Sequence, residues 1–291
     1  MAMPSTISFL SDYGLVDEFV GVVKAVIRQL APDTGVIDIS HDIHPHDVRA
    51  GSLTLVRAIQ YLPDGVVLAI VDPGVGTARR AIAVEAGDDG MILVGPDNGL
   101  MAPAAAILGG ARRAVSLTNT SLHLSAAGPT FAGRDIFAPV AAHLSNGMDL
   151  TEVGYLVDPA GLLPGIVPLT RVEDGVVHGE VLWVDRFGNA QLNVDPNDIV
   201  DFGAAVTLTM GSVVRTAKRA DTYGSIRGSE IGLVVDSYGL VSVCLDRQSA
   251  SRELGLAAGM AIDLSEPTDG PGGPPSMGVV TPVQLGPRRA D

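Results

Sequence analysis

The stretch that decides the fold is GVVLAIVDPGVGTARR, residues 65–80. Its first part, residues 65–71, is continuously apolar and predicts a buried strand. This strand ends in an acid, Asp72; the chain then breaks at a Pro-Gly pair and presents two arginines, Arg79 and Arg80. In open α/β sheets, ligands bind at the carboxyl ends of the strands. Asp72 and Arg79 are therefore the first candidates for a functional site.

The segments around this stretch alternate between strand and helix patterns. Apolar residues recur at helical spacing over residues 19–30, and Pro32 follows the stop. Alternation of this kind predicts an α/β domain over residues 1–168, with a mostly parallel sheet and helices on both faces. The expected strands are 7–10, 35–39, 65–71, 82–85, 91–94 and 114–117, and the expected helices are 19–30, 47–62, 100–108 and 135–144.

The pattern changes near residue 170. Residues 158–168 are rich in Pro, Gly and Leu and form a connector. Beyond it the helical period disappears, which predicts a smaller all-β domain over residues 169–266, a barrel or a sandwich. Residues 267–291 are a Pro/Gly/Arg-rich tail that is predicted to be disordered. The expected strands are 176–184, 190–194, 205–210, 231–235 and 240–245, and no internal repeat is apparent.

The amino-acid composition indicates the class of protein and excludes several kinds of partner. The chain has 291 residues, 46% of them hydrophobic and 18% charged, which is typical of a globular protein. A formal net charge of -14 disfavours nucleic acid as a partner. The single cysteine, Cys244, excludes an internal disulfide and is expected to be a packing residue. No stretch approaches the roughly 20 apolar residues of a membrane span, and no signal-peptide pattern is present, so a cytoplasmic location is expected.

A histidine-rich loop offers a metal site as one alternative. Residues 41–47, HDIHPHD, hold three histidines and two aspartates, which suits zinc or a two-metal centre. Against a metal, Pro45 separates two of the histidines, and Asp47 suits the N-cap of the next helix. The other interpretation is a polar strand-to-helix loop. The remaining histidines are isolated and are expected to be surface or packing residues: His123, His143 and His178.

Further polar loops fit either a structural or a binding role. Asp12 ends the first strand and Asp17 precedes the first helix, where acids suit a turn and a helix start. A strand-end aspartate also suits a ribose diol, which it binds through charge-assisted hydrogen bonds. Residues 96–99, PDNG, fit a turn. Residues 185–189, DRFGN, end a strand, and their aromatic and amide side chains suit either a purine or a hairpin cap.

Taken in order, these motifs resemble the S-adenosyl-L-methionine (SAM) hydrolases. This family is also called SAM hydroxide adenosyltransferase and is related to fluorinating and chlorinating enzymes that act on SAM. The resemblance extends from residue 7 to about residue 264 and implies a homotrimer with active sites between one subunit's N-domain and its neighbour's C-domain. No metal or organic cofactor is implied. The motifs are FLSD (9–12), DPGVGT (72–77) with Arg79, GPDNGL (95–100), TFAGRD (130–135) and DRFGN (185–189).

The resemblance also implies the substrate contacts. Asp12 would hold the ribose diol of SAM and Asp17 the methionine ammonium. His46 stands where the fluorinating relatives carry a tryptophan against the ribose, and Tyr238 replaces their arginine, which leaves the carboxylate contact open. The other implied contacts are Phe131 and Gly133 in the first domain, and Asp185, Phe187 and Asn189, with Tyr223 and Ser237 nearby, in the second.

Asp72 and Arg79 favour hydrolysis over halogenation. The hydrolases of the family have both residues, whereas the halogenating relatives have a tyrosine and a threonine. A carboxylate repels a halide but accepts a hydrogen bond from water. In addition, Gly133 stands where the fluorinating relatives bind halide with a serine. The implied reaction is attack of water or hydroxide on the ribose C5′, which yields adenosine and L-methionine; Arg79 favours hydroxide and Asp72 orients the nucleophile.

Ala132 departs from the family pattern. The hydrolases carry a histidine here, which completes an Asp-Arg-His triad, and loss of a general base costs roughly 10²–10⁴ in rate. Three explanations stay open: an engineered substitution, another group such as His46 in its role, or a non-catalytic SAM or adenosine sensor. A metal-dependent phosphohydrolase built on residues 41–47 is a more distant alternative.

Overall fold

The structure is a computed structural model that describes residues 6–88 and 90–267. The chain divides into two compact units, Met1–Leu169 and Thr170–Asp291. From residue 268 onward, the tail that is predicted to be disordered lies outside the described residues. Within the described ranges, no helix combines the length and the apolar character that a membrane crossing requires.

The first unit is built on a seven-stranded sheet. Its strands are β1 (Thr6–Ser11), β2 (Gly35–Ser40), β3 (Val66–Ile70), β4 (Ala81–Ala86), β5 (Met91–Pro96), β6 (Ala111–Ser116) and β7 (Tyr155–Val157). Its helices are α1 (Phe19–Leu30), α2 (Val48–Ile59), α3 (Ala102–Ile107) and α4 (Ala138–Ser145), with a π-helical turn at Gly133–Phe137 and 3₁₀ turns at Thr120–Leu122, Leu150–Glu152 and Pro159–Gly161.

The sheet is mixed, with strand order β2-β1-β3-β5-β4-β6-β7. The first four strands of this order run parallel, whereas β4 is antiparallel to β5 and β6, and β6 is antiparallel to β7. The prediction of a mostly parallel sheet is therefore wrong for half of the strand pairs. The physical reason is connection length, because only residues 87–90 join β4 to β5 and a parallel pair needs a crossover of about a dozen residues.

Strand β3 places the fold-deciding stretch in the interior of the sheet, as the third of its seven strands. All five of its residues are buried. Alternate side chains enter two different cores: Leu68 and Ile70 pack with residues of α1 and α4, and Val67 and Ala69 pack with residues of α2 and α3. The expectation of helices on both faces is confirmed. Because both faces are covered, β3 is apolar throughout rather than alternating.

The second unit is a closed β-barrel. Its strands are β8 (Arg171–Glu173), β9 (Val176–Val184), β10 (Ala190–Leu192), β11 (Ala205–Met210), β12 (Val213–Arg219), β13 (Ile231–Val235), β14 (Val241–Cys244) and β15 (Ala261–Ser265). Its helix is α5 (Ala250–Leu254), and 3₁₀ turns lie at Pro196–Ile199 and Tyr223–Ser225. The ring β10-β14-β13-β12-β11-β15-β9 closes because β10 pairs with both β14 and β9, and β8 extends it beside β9. The predicted barrel is confirmed.

Several elements of both units escaped the sequence analysis: β7, β8, β12, β15 and α5. Strand β12 shows why, since its sequence VVRTAKR buries only Ala217 and leaves no apolar run.

Cys244 was placed correctly inside a strand. It is buried without a disulfide, and burial raises the pKa of its thiol to about 12.

Candidate functional site

Asp72 and Arg79 form a buried ion pair beyond the end of β3. The Arg79 Nε donates to Asp72 Oδ1 at 3.0 Å, and a second guanidinium N–H donates to the other carboxylate oxygen. Their side chains are only 6% and 12% exposed, and the guanidinium carbon lies 5.3 Å from the ring centre of Phe137. Burial raises the pKa of the Asp72 carboxyl, while Arg79 opposes that shift. The pair is thus desolvated and fixed before any ligand arrives.

The turn between these two residues is held by its own hydrogen bonds. The Thr77 hydroxyl donates to the Gly74 carbonyl at 2.7 Å and accepts from the Arg79 amide at 3.3 Å. From the neighbouring strand end, the Asn98 side chain donates to the Val71 carbonyl at 2.8 Å. The chain therefore returns on itself, so that Arg79 faces the carboxylate seven residues earlier.

One cavity of about 240 Å³, named here the Asp12 cavity, gathers most of the residues proposed for the first domain. Five of them line it together, whereas Asp17 lies in the exposed segment 15–18 and does not line it. Arg79 and Ala132 face a second cavity instead. The Asp12 cavity is lined by Asp12, Tyr13, Phe19, Pro45, His46, Asp72, Val75, Thr130, Phe131 and Gly133.

The Asp12 carboxylate organises the rim of this cavity. Its Oδ2 accepts a hydrogen bond from the His46 amide at 2.9 Å, and Gly14 donates to the His41 carbonyl at 2.8 Å. His46 has φ = 70°, a left-handed conformation that costs a residue with a side chain about 1–3 kcal/mol. Such strain is concentrated at functional sites, which supports His46 as part of this one.

Tyr13 is a wall of the Asp12 cavity that the sequence analysis missed. Its ring centre lies 5.7 Å from those of Phe19 and Phe131. A Cβ built on Gly133 would lie 2.2 Å from the Tyr13 hydroxyl oxygen, so any larger residue at that position requires the Tyr13 side chain to move. Burial, together with the charges of Asp12 and Asp72, raises the pKa of the Tyr13 phenol, which therefore stays a neutral hydrogen-bond donor. The sequence signal that could have identified Tyr13 is its position directly after Asp12 in the strand-end motif.

A second, larger cavity of about 960 Å³, named here the Ala132 cavity, is lined by Arg79 but not by Asp72. Arg79, Ala132, His123 and Asp135 are among its lining residues. A π-helical turn, Gly133–Phe137, begins directly after Ala132, and turns of this kind are frequent at functional sites. Adjacent residues diverge at the start of this turn: Ala132 lines this cavity, whereas Gly133 lines the Asp12 cavity.

The histidine-rich segment 41–47 has structural partners. His41 is buried between the Ser11 hydroxyl, 2.8 Å from its Nδ1, and the Asp38 carboxylate, 3.1 Å from its Nε2. Asp47 accepts a hydrogen bond from the Ala50 amide at 2.8 Å, which confirms it as the N-cap of α2. Across residues 6–88 and 90–267, no three His, Cys, Asp or Glu side chains are grouped as metal ligands.

The second unit carries its own cavity of about 270 Å³, named here the barrel-end cavity. All five residues proposed for the second domain line it: Asp185, Phe187, Asn189, Tyr223 and Ser237. The Asp185 carboxylate holds its loop by accepting hydrogen bonds from the Phe187 amide at 2.9 Å and the Asn189 side chain at 2.8 Å. This leaves Phe187 projecting, 79% exposed.

A second loop of the barrel-end cavity repeats this construction. Residues 236–240, DSYGL, match the Asp-x-aromatic-Gly pattern of residues 185–189. Asp236 Oδ1 accepts from the Tyr238 amide at 2.9 Å, as Asp185 does from the Phe187 amide. This correspondence is too short to form an internal repeat, but it was a signal in the sequence that could have pointed to Tyr238. Tyr238 and Trp183, whose ring centres are 6.4 Å apart, also line the cavity.

Comparison with known proteins relates both units to one family. The model of the SAM hydroxide adenosyltransferase N-terminal domain matches residues 7–154, and that of the C-terminal domain matches residues 179–263. The chain is 46% identical to an (R)-S-adenosyl-L-methionine hydrolase of Salinispora tropica, over 89% of this chain and 97% of the relative. A hydrolase of the same name from Thermus thermophilus is 40% identical over 88% and 98%.

More distant relatives and a solved structure complete the comparison. A fluorinase of an Actinoplanes strain is 28% identical over 68% of this chain and 74% of its own length. A crystal structure of an uncharacterized conserved protein from Thermotoga maritima superposes with a TM-score of 0.83. That protein is 35% identical, and the match covers 89% of this chain and all of the other.

Proposed function

Because this chain belongs to the SAM hydroxide adenosyltransferase family, we propose that it hydrolyses SAM to adenosine and L-methionine. Three relatives named (R)-SAM hydrolase share 40–46% identity over 88–89% of this chain and a fourth shares 33% over 66%, whereas three fluorinases share 24–28%. The observation that carries the proposal is the buried, bidentate Asp72–Arg79 pair at the border of the Asp12 cavity.

The chemistry is a displacement at the ribose C5′. As the new O–C5′ bond forms, the C5′–S bond breaks, and its electron pair returns to sulfur, which leaves as the neutral thioether of L-methionine. The attacking water loses one proton. The sulfonium is already a good leaving group, so catalysis consists of placing and activating the water. Asp72 accepts a hydrogen bond from that water, and Arg79 stabilises its developing hydroxide character.

The same reasoning supports a reaction without a metal or an organic cofactor. A Lewis acid is not required when the leaving group is cationic in the substrate, and activity is expected to survive dialysis against EDTA. We also propose a cytoplasmic location, which is consistent with a single, buried, unbridged cysteine.

We propose that substrate binding needs residues of the first unit, which carries the Asp12 cavity, and of the second unit, which carries the barrel-end cavity. The Asp12 cavity, about 240 Å³, is smaller than the 300–1,000 Å³ typical of ligand pockets. Within it, Asp12 holds the ribose hydroxyls, while Asp17, in the exposed segment 15–18 outside the cavity lining, takes the methionine ammonium. The residues of the barrel-end cavity would complete the site from a neighbouring copy in a homotrimer. Sedimentation should therefore show a trimer, and an active monomer would contradict this arrangement.

Isotope labelling tests the reaction itself. SAM is incubated with the protein in ¹⁸O-water. The products are separated by chromatography, and their masses are measured by mass spectrometry. We expect L-methionine and adenosine with the label in its 5′-hydroxyl. SAM binding by calorimetry without any adenosine would instead support the alternative of a SAM or adenosine sensor. A 5′-halogenated product in the presence of chloride or fluoride would support the halogenating alternative.

Phe187→Ala is expected to weaken SAM binding without destabilising the barrel. The side chain is 79% exposed, so its removal should change the unfolding free energy by less than about 0.5 kcal/mol. Loss of a ring stacked on the purine should raise KM about ten-fold. Tyr61→Ala, at an aromatic side chain that is 70% exposed and lies outside the described cavities, is the matched control. Equal KM values for the two variants would remove Phe187 from the site.

A further inference from the structure

The water that attacks C5′ needs more than one hydrogen-bond partner to be held in line. Asp72 is one such partner, because an ionised carboxylate has about four lone-pair sites and its two hydrogen bonds from Arg79 leave sites free. A carboxylate only accepts, so it fixes one O–H bond of the water and leaves rotation about that bond open. A donor to the water oxygen, located in the Asp12 cavity, fixes the second direction.

Tyr13 is the donor that the Asp12 cavity offers away from its exposed rim. Besides two aspartates, the polar side chains that line this cavity are those of Tyr13, His46 and Thr130. His46 and Thr130 are exposed, whereas Tyr13 is half-buried. Within the described part of the chain, the Tyr13 hydroxyl has no hydrogen-bond partner, and its oxygen is not among the fully buried unpaired atoms, so water can reach it.

Neighbouring rings and the backbone hold the phenol in its position. The ring centre of Tyr13 lies 5.7 Å from those of Phe19 and Phe131, and these two rings are 5.0 Å apart in an edge-to-face arrangement. The next residue, Gly14, donates its amide proton to the His41 carbonyl at 2.8 Å and so anchors the strand-end loop. A side chain held in this way loses little further entropy when it binds a water.

The hydroxyl oxygen of Tyr13 lies where a side chain at residue 133 would begin. A Cβ built on Gly133 would be 2.2 Å from that oxygen and 3.1 Å from the ring carbon that carries it. Gly133 is buried and lines the Asp12 cavity together with Asp72. The missing side chain therefore leaves a space in the cavity wall, and Tyr13 fills this space with a hydroxyl group.

We propose that Tyr13 is a catalytic residue of the hydrolysis: its hydroxyl donates a hydrogen bond to the oxygen of the attacking water, while Asp72 accepts one from that water. This inference rests on the proposed function. Tyr13 keeps its own proton throughout, because burial and the charges of Asp12 and Asp72 raise the pKa of its phenol. Its hydrogen bond strengthens as negative charge develops on the water oxygen, since bonds to charged acceptors are roughly twice as strong as neutral ones.

The first test is Tyr13→Phe, which removes one oxygen and keeps the ring that packs with Phe19 and Phe131. Loss of one donor to a developing charge should lower kcat by about 10²-fold. KM for SAM should stay within about two-fold, because the hydroxyl contacts the water and not SAM. Tyr61→Phe is the matched control at a tyrosine that is 70% exposed and outside the described cavities, and it should behave as the unaltered protein.

The second test returns a hydroxyl to the same space from residue 133. When Gly133→Ser is added to Tyr13→Phe, the serine Cβ is 3.1 Å from the nearest ring carbon, so the ring has to shift by only a few tenths of an ångström. The serine hydroxyl can then replace the phenol oxygen, and kcat should recover at least about ten-fold. Gly133→Ala added to Tyr13→Phe has a similar size without the hydroxyl and should not recover. Circular dichroism and thermal unfolding verify that each variant is folded.

Unchanged kcat in Tyr13→Phe would overturn the proposal. A higher KM at unchanged kcat would do so as well, because the hydroxyl would then bind SAM rather than the water. Equal kcat in the two double variants would also overturn it, since a hydroxyl at that place would then make no difference. If the unaltered protein is too slow to measure, the same variants are compared in an Ala132→His background. No adenosine from any variant in either background would instead overturn the proposed function, and this proposal with it.

Discussion

Asp72→Asn is expected to abolish most SAM hydrolysis, lowering kcat by about 10³-fold, and to destabilise the first unit. Asparagine keeps the shape of the side chain but removes the charge that orients the water and balances Arg79. Removing one partner of a buried pair leaves an uncompensated charge, which costs about 3–5 kcal/mol. Both effects are measurable, by product chromatography and by thermal or urea unfolding.

Asp97→Asn separates the catalytic loss from the structural one. Asp97 is also a buried carboxylate bound to an arginine, with Arg80 Nε 2.8 Å from its Oδ2, and it accepts a hydrogen bond from the Leu163 amide at 2.9 Å. Its replacement should destabilise the protein, though less than Asp72→Asn because the Arg80 side chain is 39% exposed, while kcat of the folded enzyme stays within a few-fold. If Asp72→Asn retained a comparable kcat, Asp72 would be a structural residue only.

Gly133→Ala is expected to close the Asp12 cavity. The new methyl would lie 2.2 Å from the hydroxyl oxygen of Tyr13, which would have to move. Tyr13, Phe19 and Phe131 all line this cavity and their rings are in contact, so a displaced phenol changes the shape of the cavity. We expect KM for SAM to rise at least about ten-fold, and stability to fall by about 1–3 kcal/mol.

Gly21→Ala is the control for this steric effect. Gly21 lies in α1, and a Cβ there meets nothing within 4 Å. Alanine should stabilise the helix by up to about 1 kcal/mol and leave KM unchanged. Unchanged KM in Gly133→Ala as well would mean that the Asp12 cavity does not hold the substrate.

Much of the fold was predictable because the local spacing of apolar residues follows which side chains are buried. Helix α1 begins and ends where its apolar period and Pro32 predict, and β9, β11 and β13 have the predicted bounds. Each of these strands is a β-type run bounded by turn residues. Strand β12 is not such a run, because its stability comes from pairing with β11 and β13 rather than from an apolar face of its own.

The site residues were predictable as motifs but not as an arrangement. The sequence places Asp72 and Arg79 seven residues apart, yet only the turn held by Thr77 makes them a bidentate pair. It gives no sign that Ala132 and Gly133, adjacent in the chain, line different cavities.

The sequence by itself thus determined the two-part organisation, the family and the set of polar residues at strand ends, since periodicity and motif order are written along the chain. Only the tertiary structure decided the strand directions, the closure of the barrel and the grouping of side chains around separate cavities. These features depend on pairing and packing between residues far apart in the chain, which local propensity does not encode.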